Sequence, residues 1–156
     1  MKKIYILVGI LAVIALALFL VFKPSVSSYP ILDDVESVDF YRSEICGCCG
    51  LYKGYLERNG KLNVNDVMAE DTDKIKKQFN IPAEMESCHT TIINGYFVEG
   101  HMPLEAVEKL LEERPDILGI ALPGMPQGSP GMTGSKEDFV IYAIHKDGTK
   151  SEFMRM

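Results

Sequence analysis

Three of the chain's four cysteines fall within four residues, Cys46-Gly47-Cys48-Cys49. As a disulfide staple such a run closes almost no loop entropy. The run therefore asks for a fold that uses clustered thiols as chemistry. It also sits where the hydrophobic period changes. Val38-Asp39-Phe40-Tyr41 alternates and is rich in aromatics, which predicts a strand. After the cysteines, Leu51, Tyr55 and Leu56, with Tyr52 beside them, recur at helical spacing until Asn59-Gly60. The sulfurs thus crowd the start of the first helix, where the unpaired N–H groups favour thiolate.

The pattern continues in alternation. Leu62 to Asn65 reads as a second strand. Asp71-Thr72-Asp73 starts a second helix with Ile75 and Phe79 as its apolar stripe. Thr90 to Ile93 and Tyr96 to Val98 flank Asn94-Gly95, a hairpin turn signal. Pro103 opens a third helix with Leu104, Val107, Leu110 and Leu111 on one face and Glu105/Lys109 as an i,i+4 pair. Pro115 to Gly134 reads as a Gly/Pro-rich loop, and Phe139 to Ile144 as the last strand before an Asp147-Gly148 turn. The order β-α-β-α-β-β-α with an extra C-terminal strand predicts an α/β, thioredoxin-like domain over residues 37–156. In that fold Cys88 and His89, just before the third strand, approach the first helix's N-terminus and its cysteines.

Ahead of this body, Ile4 to Phe22 contains 19 residues without a charge. At about 1.5 Å per residue a helix of that length spans roughly 28 Å, close to a bilayer's hydrocarbon core. Residues 1–23 are expected to be a transmembrane signal anchor and residues 24–36, with two Pro and three Ser in eight positions, a tether. Lys2 and Lys3 keep the N-terminus in the cytoplasm. The expectation is a single-pass cell-membrane protein with its C-terminal domain extracytoplasmic. Cleavage at Ser25-Val26-Ser27, giving a secreted or periplasmic body, is the alternative. Three of the 16 basic residues and none of the 22 acidic ones lie in 1–23, which leaves 13 basic against 22 acidic residues and a net charge of −9 on the body. So acidic a body lacks the cations that displace counterions from phosphates, so no nucleic-acid partner is expected.

The cysteines allow three chemistries. An exported chain with an even cysteine count suits structural disulfides, but a body of this size has core enough without them. Cys46 and Cys49 form a C-x-x-C pair suited to dithiol redox, although Cys48 inside the motif is unusual for a simple dithiol. Soft-metal binding fits best, because closely spaced thiolates with His and Met nearby favour Cu(I). Zinc would favour two separated ligand pairs, and an iron–sulfur cluster is less suited by one cysteine outside the run. His101 lies in Glu99-Gly100-His101-Met102-Pro103, a strand-to-helix turn where a lone His is ordinarily a cap. Met125 and Met132 sit in a polar Gly/Pro loop rather than an apparent core position. That loop has no Gly-Lys-Ser/Thr and is not a phosphate cradle. Met68, Met85, Met102 and His145 read as packing or surface.

Five motifs then occur in order: Cys46-Gly47-Cys48-Cys49-Gly50, Ser87-Cys88-His89-Thr90, Gly95-Tyr96, Glu99-Gly100-His101-Met102-Pro103, and Pro123-Gly124-Met125-Pro126-Gln127-Gly128-Ser129-Pro130-Gly131-Met132. Across residues 38–153 the chain resembles the CopG-type copper-resistance proteins, catalogued as a metal-binding domain of unknown function. The resemblance implies a thioredoxin-like fold, an extracytoplasmic location and copper at the Cys-x-Cys-Cys motif. It implies a ligand set drawn from Cys46, Cys48, Cys49, Cys88, His89, His101, Met125 and Met132. The expected function is Cu(I) sequestration, or transfer to or from a donor or acceptor protein. A thiol-disulfide or copper oxidoreductase using the pair Cys46 and Cys49 is the alternative.

Overall fold

The computed structural model describes residues 28–135 and 137–156. Its first unit follows from the change of period at the cysteines. β1 (Val38–Arg42) and β2 (Val64–Met68) run parallel, from Val38↔Val64 to Arg42↔Met68, and α1 (Gly47–Asn59) joins them. Parallel strands need such a crossover. α2 (Thr72–Gln78) starts where the Asp71 side chain accepts from Asp73 N at 3.1 Å. β3 (His89–Ile93) and β4 (Tyr96–Glu99) then form the expected hairpin, with β3 antiparallel to β1. Asn94 and Gly95 both take positive φ, 47° and 85°, as a two-residue primed turn requires. α3 (Leu104–Glu113) follows Pro103, and its buried stripe is Leu104, Val107, Leu110 and Leu111.

Three strands follow α3, where the sequence suggested one. β5 (Gly119–Ala121) lies inside the expected loop, and β7 (Lys150–Arg155) follows β6 (Val140–Ile144) beyond the expected last strand. β5 escapes notice because Gly-Ile-Ala carries little β propensity. A Cβ at Gly119 would lie 2.1 Å from Phe97 O, so only glycine fits the approach of β5 to β4. β7 is an edge strand whose first three residues are exposed, and edge strands carry such polar residues. The chain is a mixed α/β protein with one seven-stranded sheet, order β2-β1-β3-β4-β5-β6-β7, and three α-helices among the described residues.

Phe40, Tyr52, Leu56, Leu104, Leu110, Ile120 and Ile141 are fully buried between sheet and helices. Each such side chain contributes roughly 1.5–3 kcal/mol. Ile75 and Phe79, the expected buried stripe of α2, are only partly covered, and the buried residue of that helix is Lys76. Part of the expected tether is pinned down. Pro30–Asp34 forms a 3-10 turn that buries Leu32, while Tyr29 Oη donates to Glu105 at 3.0 Å and Ile31 N to Glu108 at 3.4 Å on α3. Among the described residues no helix is long and apolar enough to cross a membrane. The expected anchor at Ile4–Phe22, and residues 24–27 of the tether, lie outside them.

Candidate metal centre

β1 ends at Arg42, which is held by a bidentate pair with Asp66 of β2 at 2.8 and 2.9 Å. The chain turns through Ser43–Ile45, with Cys46 N donating to Ser43 O at 3.2 Å, and Cys46 becomes the residue that caps α1. No side chain caps this helix start. Cys48 and Cys49 occupy the first turn, and Cys49 is fully buried. Gly47 and Gly50 are exposed, with open space where a side chain would stand, so the cluster's mouth is bordered by bare backbone.

Cys46 and Cys49 are joined in a disulfide, and Cys48 and Cys88 are free thiols. Cys48 Sγ lies 3.8 Å from Cys46 Sγ and 3.8 Å from Cys88 Sγ. All four sulfurs fall within 4.8 Å of one another. A second group, Cys88, His89 and His101, meets the same limit and shares Cys88 with the first.

The two histidines are oriented by backbone carbonyls. His89 Nε2 donates to Gly100 O at 3.0 Å, which leaves Nδ1 unprotonated, 3.3 Å from Cys88 Sγ and 3.5 Å from Cys49 Sγ. His101 Nδ1 donates to Pro130 O at 2.6 Å, which leaves Nε2 3.7 Å from Cys88 Sγ. This is how metal-binding histidines are aimed: the far nitrogen is fixed and the near one offers its lone pair. His89 stacks on Tyr52 with ring centroids 4.7 Å apart and packs on Phe40 at 4.8 Å. Tyr52 also meets His101 at 5.2 Å, and its hydroxyl donates to Met102 O at 2.9 Å.

The loop after β5 docks on this wall. Pro130 O takes the His101 bond, and Gly131, at φ 79°, lies so close to α1 that a Cβ would stand 3.0 Å from Tyr52 N. Ser129 is buried, its hydroxyl donating to Pro126 O at 2.7 Å. The Gly/Pro-rich loop read from sequence is thus docked against His101 and α1. On it Met125 is 39% exposed and Met132 half-buried.

A family described as a protein of unknown function, DUF411, matches residues 85–132, a stretch holding Cys88, His89, His101, Met125 and Met132. No curated protein matches. Two solved structures, copper resistance protein CopG in form 2 and in form 1, match at 37% identity with TM-scores of 0.73 and 0.72. The alignment covers 79% of this chain and 99% and 98% of theirs. The chain belongs to the CopG family. A metal-binding role in copper resistance fits both this CopG membership and the four-cysteine cluster.

Electrostatics favours neutral nitrogen donors in this CopG site. Burial, with His101 adding to it, pushes the His89 imidazole down to about 3. Burial also lowers His101, against the Pro130 bond. The Cys88 thiol is pushed up to about 11, first by burial and then by Cys48 beside it. Without a cation the cluster resists taking on several negative charges.

Met85 and Met102 are buried packing, Met68 is exposed, and His145 bonds Ser151 at 2.8 Å, all as read from sequence. Two features of the CopG site escaped that reading. Tyr52 drew no role from the sequence and is the ring that both imidazoles pack against. A buried Lys76–Glu99 ion pair stands behind Cys88. Glu99 had a signal, because alternation from buried Phe97 carries it to the same inward face. Lys76 had none.

Proposed function

We propose that this domain binds copper as Cu(I) on the thiolates of Cys46, Cys48, Cys49 and Cys88. In this reading His89 and His101 are neutral nitrogen donors on the Cys88 side, and Met125 and Met132 are thioether donors from the covering loop. The convergence of four sulfurs within 4.8 Å, faced by two imidazole lone pairs, carries the proposal. Thiolate and thioether are soft donors, and sulfur-rich sites select Cu(I) over hard cations. The domain sequesters copper or exchanges it with a donor or acceptor protein. The βαβ unit followed by a hairpin and a helix supports a thioredoxin-like frame over residues 37–156.

Loading four thiolates first requires the Cys46–Cys49 disulfide to accept two electrons and two protons. Anaerobic titration of reduced protein with Cu(I) should therefore give a higher copper count and stronger thiolate-to-copper absorption than titration of the disulfide form. Equal counts in the two forms, or zinc retained in excess Cu(I), would refute the proposal.

A second reading rests on the disulfide itself beside two free thiols. Two Cu(I) ions becoming Cu(II) release the two electrons that, with two protons, reduce Cys46–Cys49. Such a copper or thiol oxidoreductase predicts that Cys48→Ser, with the Cys46–Cys49 pair still cycling, keeps full turnover. The sequestration reading predicts a lower copper count for the same variant.

We further infer that residues 1–23 anchor the chain in the membrane, with the body extracytoplasmic. The uncharged run Ile4–Phe22 and a disulfide suited to an oxidising compartment support this. The chain should stay in the pellet after alkaline carbonate washing. A soluble body starting near Ser28 would replace the anchor with a cleaved signal.

A further inference from the structure

Cys88 and His89 are neighbours in sequence, yet both reach the same sulfur cluster. Adjacent side chains on a regular strand point to opposite faces. Here Cys88 Sγ and His89 Nδ1 are 3.3 Å apart, and His89 Nδ1 is 3.5 Å from Cys49 Sγ on the opposite wall. The backbone therefore departs from strand geometry at Cys88, and β3 begins only at His89.

The residues on either side of this bend end on one buried carboxylate. Ser87 N donates to Glu99 Oε1 at 2.5 Å, and Thr90 Oγ1 donates to Glu99 Oε2 at 2.6 Å. Lys76 of α2 completes the arrangement: its ammonium pairs with Glu99 Oε1 and donates to Thr90 Oγ1 at 3.4 Å. Lys76 is 3% exposed and Glu99 0%. Removing two charges from water is costly, and a well-packed apolar pair at such a place is often no less stable. Stability alone thus gives little reason for an ion pair here, whereas geometry gives one.

We propose that Glu99 and Lys76 are positioning residues of the copper site. The carboxylate straddles the Cys88–His89 dipeptide and keeps both donors on one wall, and the ammonium fixes the carboxylate. This deepens the copper-binding reading above and rests on it. Neither residue touches the metal donors' lone pairs; they act through the backbone and Thr90.

Two variants test the clamp. Lys76→Met with Glu99→Leu removes both charges and both bonds to the bend. Thr90→Val removes two hydrogen bonds, to Glu99 and from Lys76, and no charge. Each is followed by thermal unfolding, by competition for Cu(I) with a chelator, and by a copper-free measurement. The last is the rate at which Cys48 and Cys88 form a disulfide in protein whose Cys46–Cys49 bridge is already closed. The two thiols give two electrons and two protons to an added diazene oxidant. The double variant should unfold cooperatively, hold Cu(I) roughly 10–100-fold more weakly, show a shifted thiolate-to-copper band, and cross-link severalfold more slowly. Thr90→Val should move the same readouts in the same direction by less. If the double variant does not fold, Thr90→Val decides. Folded variants with the parent's affinity, spectrum and cross-linking rate overturn the clamp. A parent that takes up no copper overturns the proposed function, and the cross-linking rates then still decide whether Glu99 and Lys76 position Cys88.

Discussion

Cys88 and His89 enter the sulfur cluster from a strand end held by buried bonds, with Glu99 behind them and Gly100 O fixing the imidazole. Cys46, Cys48 and Cys49 enter from a helix start with no side-chain cap, bordered by two glycines with open space around them. Burial does not follow the same division: His89 and His101 are fully covered and Gly47 and Gly50 exposed, but Cys49 is as buried as the imidazoles and Cys88 only half-buried. The strand wall is held by more hydrogen bonds than the helix start. The difference teaches that the Cys-x-Cys-Cys run, though conspicuous in sequence, is the half of the site with fewer hydrogen bonds to hold it. The half that dictates geometry is spread over β3, β4 and α2.

Cys88 offers the hardest test of this contrast because it alone belongs to both donor groups. In reduced protein Cys88→Ser should lose more bound Cu(I) than Cys48→Ser, as read by copper-to-protein ratio after desalting. Its stability should change by about 1 kcal/mol or less, since the site is half-buried and the replacement nearly isosteric. A larger copper loss from Cys48→Ser would reverse the assignment of the rigid wall.

Gly131→Ala should have an intermediate effect. An L side chain is strained at φ 79°, and its Cβ would press on Tyr52 N. The expected cost is about 1 kcal/mol or somewhat more, a fall of roughly 4 °C or more in Tm for a domain of this size. Amide exchange should rise in residues 123–134 while β3 and β4 stay protected. Exchange rising equally in β3 would show that the loop and the rigid wall are one unit.

Much of the fold was legible because its period signals are local. The β1 alternation, the Asn94-Gly95 turn and the apolar stripe after Pro103 each specify their element without distant help. β5 was not, because Gly119 is a strand residue only by virtue of Phe97 against it. The sulfur and imidazole residues were legible as chemistry. The gathering of Cys88 with Cys46, Cys48 and Cys49 followed from the predicted order of elements. The disulfide was not chosen over the free-thiol state by spacing alone. Lys76 was illegible, because its burial arises from a partner 23 residues away that no helical pattern announces.

The smallest effect is expected from the two methionines of the covering loop. Met125→Leu with Met132→Leu keeps size and apolarity and removes two sulfurs. Folding should be preserved to within about 1 kcal/mol. Copper loss to a chelator should quicken about threefold, equivalent to roughly 0.7 kcal/mol. Unchanged release would reduce the loop's part to shielding His101 and Tyr52, and would strike both methionines from the ligand set.

The 3-10 turn at Pro30–Asp34 has a mechanical consequence. Its hydrogen bonds run to Glu105 and Glu108 on α3, and Asp33 faces Lys61 at 4.0 Å just past the end of α1. A pull on the chain ahead of Ser28 is thus borne by Leu32 and the outer side of α3. β1 then runs its full length before the chain arrives at Cys46. The route from the N-terminal end to the sulfur cluster therefore runs through the turn's ties to α3 and Lys61 and then the whole of β1.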